Sequence, residues 1–210
     1  FDQTKLPWTV EILRLSDTAQ VAEAITTMRV RGAPLIGAVA AYGLALALRR
    51  DASDGAMETT ATRLAGTRPT AINLRWALEM MLAGLRNQPH DARVAIADRI
   101  AQEIADDDVE TNFRIGQHTL PLIEAHAEKG RVNILTHCNA GWLATVDYGT
   151  ALSGIFQAHD AGVPVHVWVD ETRPRNQGAL LTAFELSGHG VPHTIVVDGA
   201  GSALKAVGPD

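Results

Sequence analysis

The fold of this chain is decided by the stretch Val132-Asn133-Ile134-Leu135-Thr136-His137-Cys138-Asn139-Ala140-Gly141. Its first five residues are rich in β-branched and aliphatic side chains and predict a short strand, which polar and small residues follow directly. Two further apolar runs, Val163–Val169 and His193–Val197, alternate with helical patterns over Leu143–Ala161 and Gln177–Gly188. Because strands that alternate with helices are typical of a parallel sheet, residues 130–210 are predicted to form an α/β domain.

Residues 1–129 follow another pattern and are predicted to form a mainly helical domain. The first helix is expected after the capping residues Ser16 and Asp17, and a second helix is expected from near Ala33 to Arg49. The loose alternation of residues 1–15 predicts strands or a hairpin. Three more helices are expected over Thr59–Ala65, after a cap at Thr70, and over Asp91–Glu124.

Composition and charge exclude several classes of function. Of the 210 residues, 46% are hydrophobic and 20% are charged, which is typical of a globular protein. The net charge of −6 makes free nucleic acid and anionic membranes poor partners. The apolar stretch Ala33–Leu48 is too short for a typical membrane-spanning helix and predicts a buried core helix. The single cysteine excludes an internal disulfide and favours a cytoplasmic location.

Ligands of open parallel sheets bind beyond the carboxyl ends of the strands. Three polar or glycine-rich segments are expected at those ends, and the sequence therefore predicts a site there. They are Thr136–Gly141, Asp170–Pro174 and Asp198–Gly201.

Cys138 is the first candidate for chemistry at this edge. A helix is expected to begin shortly after it, and the amides of a helix N-terminus favour a thiolate. Cys138 could therefore act as a nucleophile or as an acid and base, or it could be a small buried core residue. Its neighbours His137, Asn139 and Gly141 are poor core formers and favour a functional role.

Two classes of polar groups remain ambiguous from the residues alone. The loops Arg29–Pro34, Arg68–Thr70 and Glu171–Gly178 combine arginine with glycine or proline near helix starts, and they could bind anions or be ordinary turns. The scattered histidines predict no metal site, and surface roles are favoured for them. They are His137, His166, His189 and His193.

Taken together, five motifs resemble the methylthioribose-1-phosphate isomerase family. They are Arg29–Gly37, Arg68–Thr70, Thr136–Gly141, Tyr148–Ala151, and Glu171–Pro174 with Gln177–Ala179; the opening Asp2–Pro7 also fits. The wider family includes ribose-1,5-bisphosphate isomerases and the regulatory subunits of the translation-initiation nucleotide exchange factor. The resemblance implies a helical N-terminal domain followed by a Rossmann-like parallel-sheet domain.

The resemblance also implies an activity, namely the aldose–ketose isomerisation of 5-methylthioribose 1-phosphate to 5-methylthioribulose 1-phosphate in methionine salvage. It implies a homodimer and neither a metal nor a nucleotide cofactor. Cys138 matches the catalytic cysteine of the family. The substrate-binding positions are matched by Arg31, Gly32, Ala33, Arg68 and Gln177.

Two alternatives stay open within the same family. The chain could isomerise another phosphorylated ribose, such as ribose 1,5-bisphosphate, or it could be a non-catalytic regulatory subunit that binds a sugar phosphate or a nucleotide. An apolar wall near the sugar C5, to which Trp142 could contribute, would favour the methylthio substrate. A thiol within Thr136–Gly141 favours an enzyme.

The resemblance has one departure. The family carries a second catalytic residue, an aspartate in a Gly-Ala-Asp-Arg stretch after the next strand, and this stretch does not occur in the chain. Val207–Asp210 resembles it faintly but lacks the arginine. We therefore expect the α/β domain to be incomplete at its carboxyl end.

Overall fold

The computed structural model of the chain describes residues 1–128, 130–173 and 175–202. The chain divides into two compact units, and each is described by itself. The first contains Phe1–Lys5 and Val10–Asp108, and the second contains Leu6–Thr9 and Val109–Asp210. The domain boundary predicted between residues 129 and 130 stays a prediction.

The first unit is helical, as the sequence predicts. Asp17 caps the first helix because its carboxylate accepts a hydrogen bond from the Gln20 amide. The helices are α1 (Thr18–Thr26), α2 (Ala33–Leu48), α3 (Asp54–Ala65), α4 (Ile72–Leu85) and the part of α5 (His90–Ala127) that ends at Asp108.

The strands predicted within residues 1–15 do not form, and this prediction was wrong. The segment contains turns and is held by isolated hydrogen bonds. One of them is donated by the Asp2 amide to the Glu11 carbonyl. Val10 and Ile12 are exposed, so the alternation does not define a buried face. Alternating polarity predicts a strand only where one face packs on a core.

The packing of α2 against α4 forms much of the core of the first unit. Small side chains line α2, and a Cβ added at Gly37 would lie 3.0 Å from the backbone oxygen of Asn73. Because α2 is apolar on all sides, its burial follows directly from its sequence. In the part of the chain that the structure describes, no helix is long and apolar enough to cross a membrane.

The second unit is α/β and contains a parallel sheet in the order β1-β2-β3, which confirms the predicted topology. Leu152, Phe156, Val167 and Leu186 lie in the core between the sheet and its helices. The elements are β1 (Val132–Thr136), α6 (Ser153–Asp160), β2 (Val165–Asp170), α7 (Ala183–His189) and β3 (His193–Val196).

Two helices of this unit differ from their predictions. In place of one helix over residues 143–161 there is a short 3-10 turn, Trp142–Ala144, and α6 begins only at Ser153. Thr145 ends the turn in extended backbone, and its hydroxyl donates to the Asp147 carbonyl. The helix predicted from Gln177 opens as a π-helical turn, Gly178–Thr182, before α7.

Candidate functional site

The three polar segments predicted as a site lie together at the carboxyl edge of the sheet, and Thr172 joins them. Its hydroxyl accepts a hydrogen bond from the Cys138 amide at 2.7 Å and donates to the Asp170 carbonyl at 3.0 Å. Its own amide donates to Asp198 Oδ1 at 3.0 Å. One buried threonine therefore connects the ends of all three strands.

Cys138 is half-buried and has a left-handed backbone with φ of 64°. This conformation is uncommon for a residue with a Cβ, and it indicates that the surroundings determine it. The helix predicted to begin shortly after Cys138 was wrong, because a 3-10 turn, Trp142–Ala144, stands in its place and α6 begins only at Ser153. The Cys138 amide instead donates to the Thr172 hydroxyl, and the Cys138 carbonyl accepts from the Thr182 hydroxyl.

A chain of ionisable groups extends along the same edge from His137 through Asp170 to Asp198. His137 Nδ1 pairs with Asp170 Oδ2, and both oxygens of Asp198 accept backbone amides, from Thr172 and Arg173. Burial, followed by a hydrogen bond with Asp198 and its negative charge, raises the pKa of Asp170. Desolvation acts to raise the pKa of Asp198, but the Arg173 amide, the Asp170 carboxyl and the Thr172 amide outweigh it and lower that pKa. These opposite shifts favour the proton of the carboxyl pair on Asp170.

The same three side chains could hold a metal ion, and no other such group occurs among the residues that the structure describes. The ligand atoms of His137, Asp170 and Asp198 all lie within 4.8 Å of one another. They line a cavity of about 290 Å³ together with residues of the segment after β3, and Cys138 does not line it. The sequence did not predict the trio, because its members are far apart along the chain: His137 follows β1, Asp170 ends β2 and Asp198 follows β3.

The other candidate histidines have partners of their own. His189 contacts Asp160 at 2.8 Å, and the His193 ring nitrogen Nδ1 lies 2.8 Å from the Val191 carbonyl. His166 lies 3.0 Å from the Thr194 hydroxyl, and burial, with Arg131 and His193, lowers its pKa. These contacts agree with the predicted surface roles.

Two of the three candidate anion-binding loops, those that contain Arg31 to Ala33 and Arg68, lie in the first unit. Gly32 caps α2 with φ of 100°, a conformation that favours glycine, and Arg31 is buried. Arg68 is half-buried, and its backbone carbonyl accepts a hydrogen bond from the Ala71 amide. Neither α2 nor α4 has a side-chain cap, and Ala71 stands at the cap position predicted for Thr70. Gly37 and Asn73, near the two helix starts, pack together.

Gln177 and Trp142 lie in the second unit. Gln177 is half-buried and precedes the π-helical turn, whose Gly178 approaches the end of β2 so closely that a Cβ there would lie 1.8 Å from the Asp170 carbonyl oxygen. Trp142 packs against the small apolar cluster of Leu6, Leu143 and Leu181. Its predicted contact with a substrate stays a prediction.

Comparison with known proteins identifies the family. Residues 29–207 match the initiation factor 2 subunit family. The chain belongs to this family. Within it, the chain is 61% identical over 212 residues to methylthioribose-1-phosphate isomerase of Gluconobacter oxydans (strain 621H), and 63% identical over 208 residues to the protein of the same name from Methylobacterium nodulans. Both alignments cover 99% of this chain.

Solved structures of this family have the same fold. The 5-methylthioribose 1-phosphate isomerase of Pyrococcus horikoshii OT3 superimposes with a TM-score of 0.88 at 38% identity, over 99% of this chain and 59% of that one. The translation initiation factor eIF-2B subunit delta of A. fulgidus superimposes with a TM-score of 0.82 at 38% identity, over 99% of this chain and 62% of that one. These likenesses establish the predicted α/β fold.

The chain spans 58% of the length of the Gluconobacter oxydans relative and 57% of the Methylobacterium nodulans relative. The faint Gly-Ala-Asp-Arg resemblance at Val207–Asp210 lies outside the described residues.

Two polar residues that bond to the loop around Cys138 (residues 136–143) were not predicted from the sequence. Thr182 and Glu185 are buried, and both bond to the loop. They are spaced three residues apart in a helical stretch whose other buried side chains are apolar, and this polar pair was the signal that could have indicated them. The segments containing Asp170, Thr172 and Asp198 were predicted, although the role of each residue was not.

Proposed function

We propose that this chain carries an aldose–ketose isomerase site that converts 5-methylthioribose 1-phosphate to 5-methylthioribulose 1-phosphate. The observation that carries the proposal is Cys138, which is held at the carboxyl edge of the sheet by hydrogen bonds to both adjacent peptide groups. The names of the relatives at 61% and 63% identity, both methylthioribose-1-phosphate isomerases, support the same substrate.

The chemistry of the substrate explains why such residues are needed. A phosphate on the anomeric carbon blocks simple ring opening to a free aldehyde, so the enzyme must open the ring and then move hydrogen between C1 and C2. These steps need a group that donates and accepts a proton at a fixed position over the sugar, and firm binding of the phosphate. We assign the first role to Cys138.

We assign substrate binding to Arg31, Gly32, Ala33, Arg68 and Gln177. A positive φ at Gly32 and the buried guanidinium of Arg31 are suited to an anion at the start of α2, where backbone amides point outward. The proposal extends to a phosphorylated sugar as the partner, a role in methionine salvage, a cytoplasmic homodimer, and domains of residues 1–129 and 130–210. The reaction as proposed uses neither a metal nor a nucleotide.

A second candidate function is supported by the fold of the A. fulgidus protein, whose identity to this chain is also 38% and whose name is that of a translation factor subunit. As a regulatory subunit, this chain would bind a sugar phosphate or nucleotide without converting it. The thiol in the loop favours the enzyme, because binding alone does not need it. Ribose 1,5-bisphosphate is the competing substrate within the enzymatic proposal.

The experiment uses the chain itself and a chimera. In the chimera, this chain replaces the region of the Gluconobacter oxydans relative that it matches, so that the remainder of that protein is supplied. Both are incubated with 5-methylthioribose 1-phosphate, and ketose formation is followed by NMR. We expect turnover by the chimera, and a loss of about 10³-fold in kcat for Cys138→Ala.

The controls separate the candidates. The unaltered relative shows that the assay works, and ribose 1,5-bisphosphate in place of the methylthio substrate tests specificity. A folded chimera that binds the sugar phosphate without converting it would favour the regulatory subunit. Undiminished turnover by the Cys138→Ala chimera would remove the role assigned to the thiol.

A further inference from the structure

We infer that Thr182 and Glu185 are positioning residues, which hold the Cys138 loop (residues 136–143) in its reactive conformation. The inference rests on the proposed function and deepens it, since it assigns a role to two residues outside the loop. Neither residue contacts the reacting atoms in this proposal. Both act through the backbone of Cys138 and the side chain of Asn139.

Four hydrogen bonds connect the pair to the loop. The Thr182 hydroxyl donates to the Cys138 carbonyl at 2.7 Å and accepts from Asn139 Nδ2 at 3.2 Å. Glu185 Oε1 accepts from Asn139 Nδ2 at 2.7 Å and from the Leu143 amide at 3.3 Å. The loop is therefore bound at its middle and at its end to one face of a helical segment.

The backbone of Cys138 is fixed from both sides by threonine hydroxyls. The Thr172 hydroxyl accepts a hydrogen bond from the Cys138 amide, and the Thr182 hydroxyl donates one to the Cys138 carbonyl. A left-handed conformation at a residue with a Cβ costs energy, and it persists only where the surroundings over-determine it. Without the Thr182 bond, Cys138 is free to relax toward ordinary backbone angles, and the thiol moves with it.

Thr182 and Glu185 are both buried, and packing alone does not explain why polar side chains occupy these positions. Thr182 is 0% exposed and Glu185 is 1% exposed. A buried carboxyl group generally stabilises a fold no better than an apolar side chain of similar volume, so packing does not explain the choice of glutamate. The contacts that it makes with the loop do explain it.

The loop is also shaped to fit Glu185. A Cβ added at Gly141 would lie 1.7 Å from Glu185 Oε2, so glycine lets the backbone pass directly over the buried carboxyl group without displacing it. A π-helical turn directly before α7 carries Thr182 itself. Such turns alter the direction of the side chains that follow them and are frequent at functional sites.

The test uses alkylation of the thiol by iodoacetamide in the intact 210-residue chain. Because Cys138 is its single cysteine, the rate reports on this thiol alone. Thr182→Val removes the hydroxyl with little change of shape, and Thr182→Ser restores it. Glu185→Leu removes the acceptor, and Glu185→Gln keeps an acceptor oxygen in the same place. Rates are measured from about pH 6 to pH 9.

We expect the Val and Leu variants to be alkylated at least about fivefold faster, with an altered pH profile, because the released thiol is more exposed. The Ser and Gln variants should stay within about twofold of the original chain. Leu186→Ala is the matched control, because Leu186 is the next residue of α7, is fully buried in the apolar core and serves packing. Its alkylation rate should also stay within about twofold.

Two results would overturn the inference. One is an unchanged alkylation rate in a folded Thr182→Val chain, and the other is an increase in Leu186→Ala equal to that in Thr182→Val. In the chimera, Thr182→Val should lower kcat by about 10²-fold while KM stays within about threefold, and Thr182→Ser should restore kcat. Because alkylation needs no turnover, the failure of the proposed function and the failure of this inference give different results.

Discussion

The α2–α4 contact and the carboxyl edge of the sheet both contain buried side chains, but these side chains differ in their chemistry. Alanine, glycine and leucine side chains form the contact between the two helices of the first unit. At the edge of the sheet in the second unit, the buried residues are polar, and they include Asp170, Thr172, Thr182 and Glu185. One region is stabilised by apolar area, and the other by bonds between particular atoms.

The difference shows where the chain gains stability and where it gains precision. Apolar burial is non-directional and roughly proportional to the area removed from water, so the α2–α4 contact fixes a scaffold without fixing individual atoms. Buried polar groups must each find a partner, and the cost of losing one partner is high. Those partners are what hold Cys138 and its neighbours in defined positions.

The largest effect is expected in the apolar region. Leu74 lies on α4 and is 1% exposed, and Leu74→Ala should lower the free energy of unfolding by about 3 kcal/mol through the cavity that it leaves. Met80→Ala on the same helix is the control, because Met80 is 42% exposed and should change stability by less than about 0.5 kcal/mol. Denaturant unfolding measures the stability of both variants, and amide hydrogen exchange of α2 and α4 shows where the stability is lost. Equal costs for the two variants would contradict the contrast drawn above.

A slightly smaller effect is expected where the π-helical turn meets β2. Gly178→Ala would place a Cβ 1.8 Å from the Asp170 carbonyl oxygen, and the forced displacement should cost about 2 kcal/mol. Gly188→Ala provides the matched control on α7, because open space surrounds that position. It should instead stabilise the helix by about 0.5 kcal/mol. Thermal unfolding of both variants checks the opposite signs, and a shared sign would refute the steric explanation.

Substitutions of Thr172 test whether the carboxyl edge of the sheet is stabilised by hydrogen bonds or by the volume of its side chains. Thr172→Val preserves volume but leaves the Cys138 amide without its acceptor, so we expect a loss of about 1.5 kcal/mol. Thr172→Ser keeps the hydroxyl and should lose much less. Chemical denaturation, together with the NMR shift of the Cys138 amide, distinguishes them. If Val and Ser cost the same, volume rather than hydrogen bonding would govern this position.

The smallest effect is expected in the dependence of stability on pH. The raised pKa of Asp170, which burial and then Asp198 cause, means that the folded chain keeps a proton that the unfolded chain loses above about pH 3.8. Stability from this group is therefore fully present below that pH and is lost as pH rises through the folded pKa. Protonated His137 opposes the shift. The lowered pKa of Asp198 contributes a slope only on acidification below about pH 3.8.

Asp170→Asn removes this titration, so the free energy of unfolding of the variant should fall less than that of the original chain as pH rises above about 3.8. Urea unfolding at several pH values measures the two slopes. Glu171→Gln, which removes a carboxylate at the neighbouring residue, is the control for the loss of one negative charge at this edge. Identical slopes for Asp170→Asn and the original chain would contradict this prediction, because they would show that folding does not raise the pKa of Asp170.

Much of the fold could be predicted because the signals were local. The apolar runs of the strands and the glycine and proline residues between helices each act over a few residues, so they indicated the parallel sheet and the helix α2. The site segments could be predicted for a related reason, since the carboxyl ends of parallel strands lie at one edge. The motifs around Arg31, Cys138 and Gln177 then indicated the family.

The errors arose where local preference was overridden. Residues 1–15 alternate in polarity, but no strand pairs with them in the described part of the chain. The helix expected from Leu143 is interrupted between Thr145 and Ser153, where Thr145 bonds to Asp147 and Tyr148 adopts a left-handed backbone. Such bonds compete with helix formation and are not visible in hydrophobic periodicity.

The sequence by itself determined the order of helices and strands, the parallel sheet, the family and the position of Cys138, because these depend on short-range patterns along the chain. The tertiary structure decided which polar groups meet. The bond from Thr182 to the Cys138 carbonyl and the pairing of Asp170 with His137 join residues more than thirty positions apart. Hydrogen bonding of buried groups depends on distance and angle in space, and sequence spacing specifies neither.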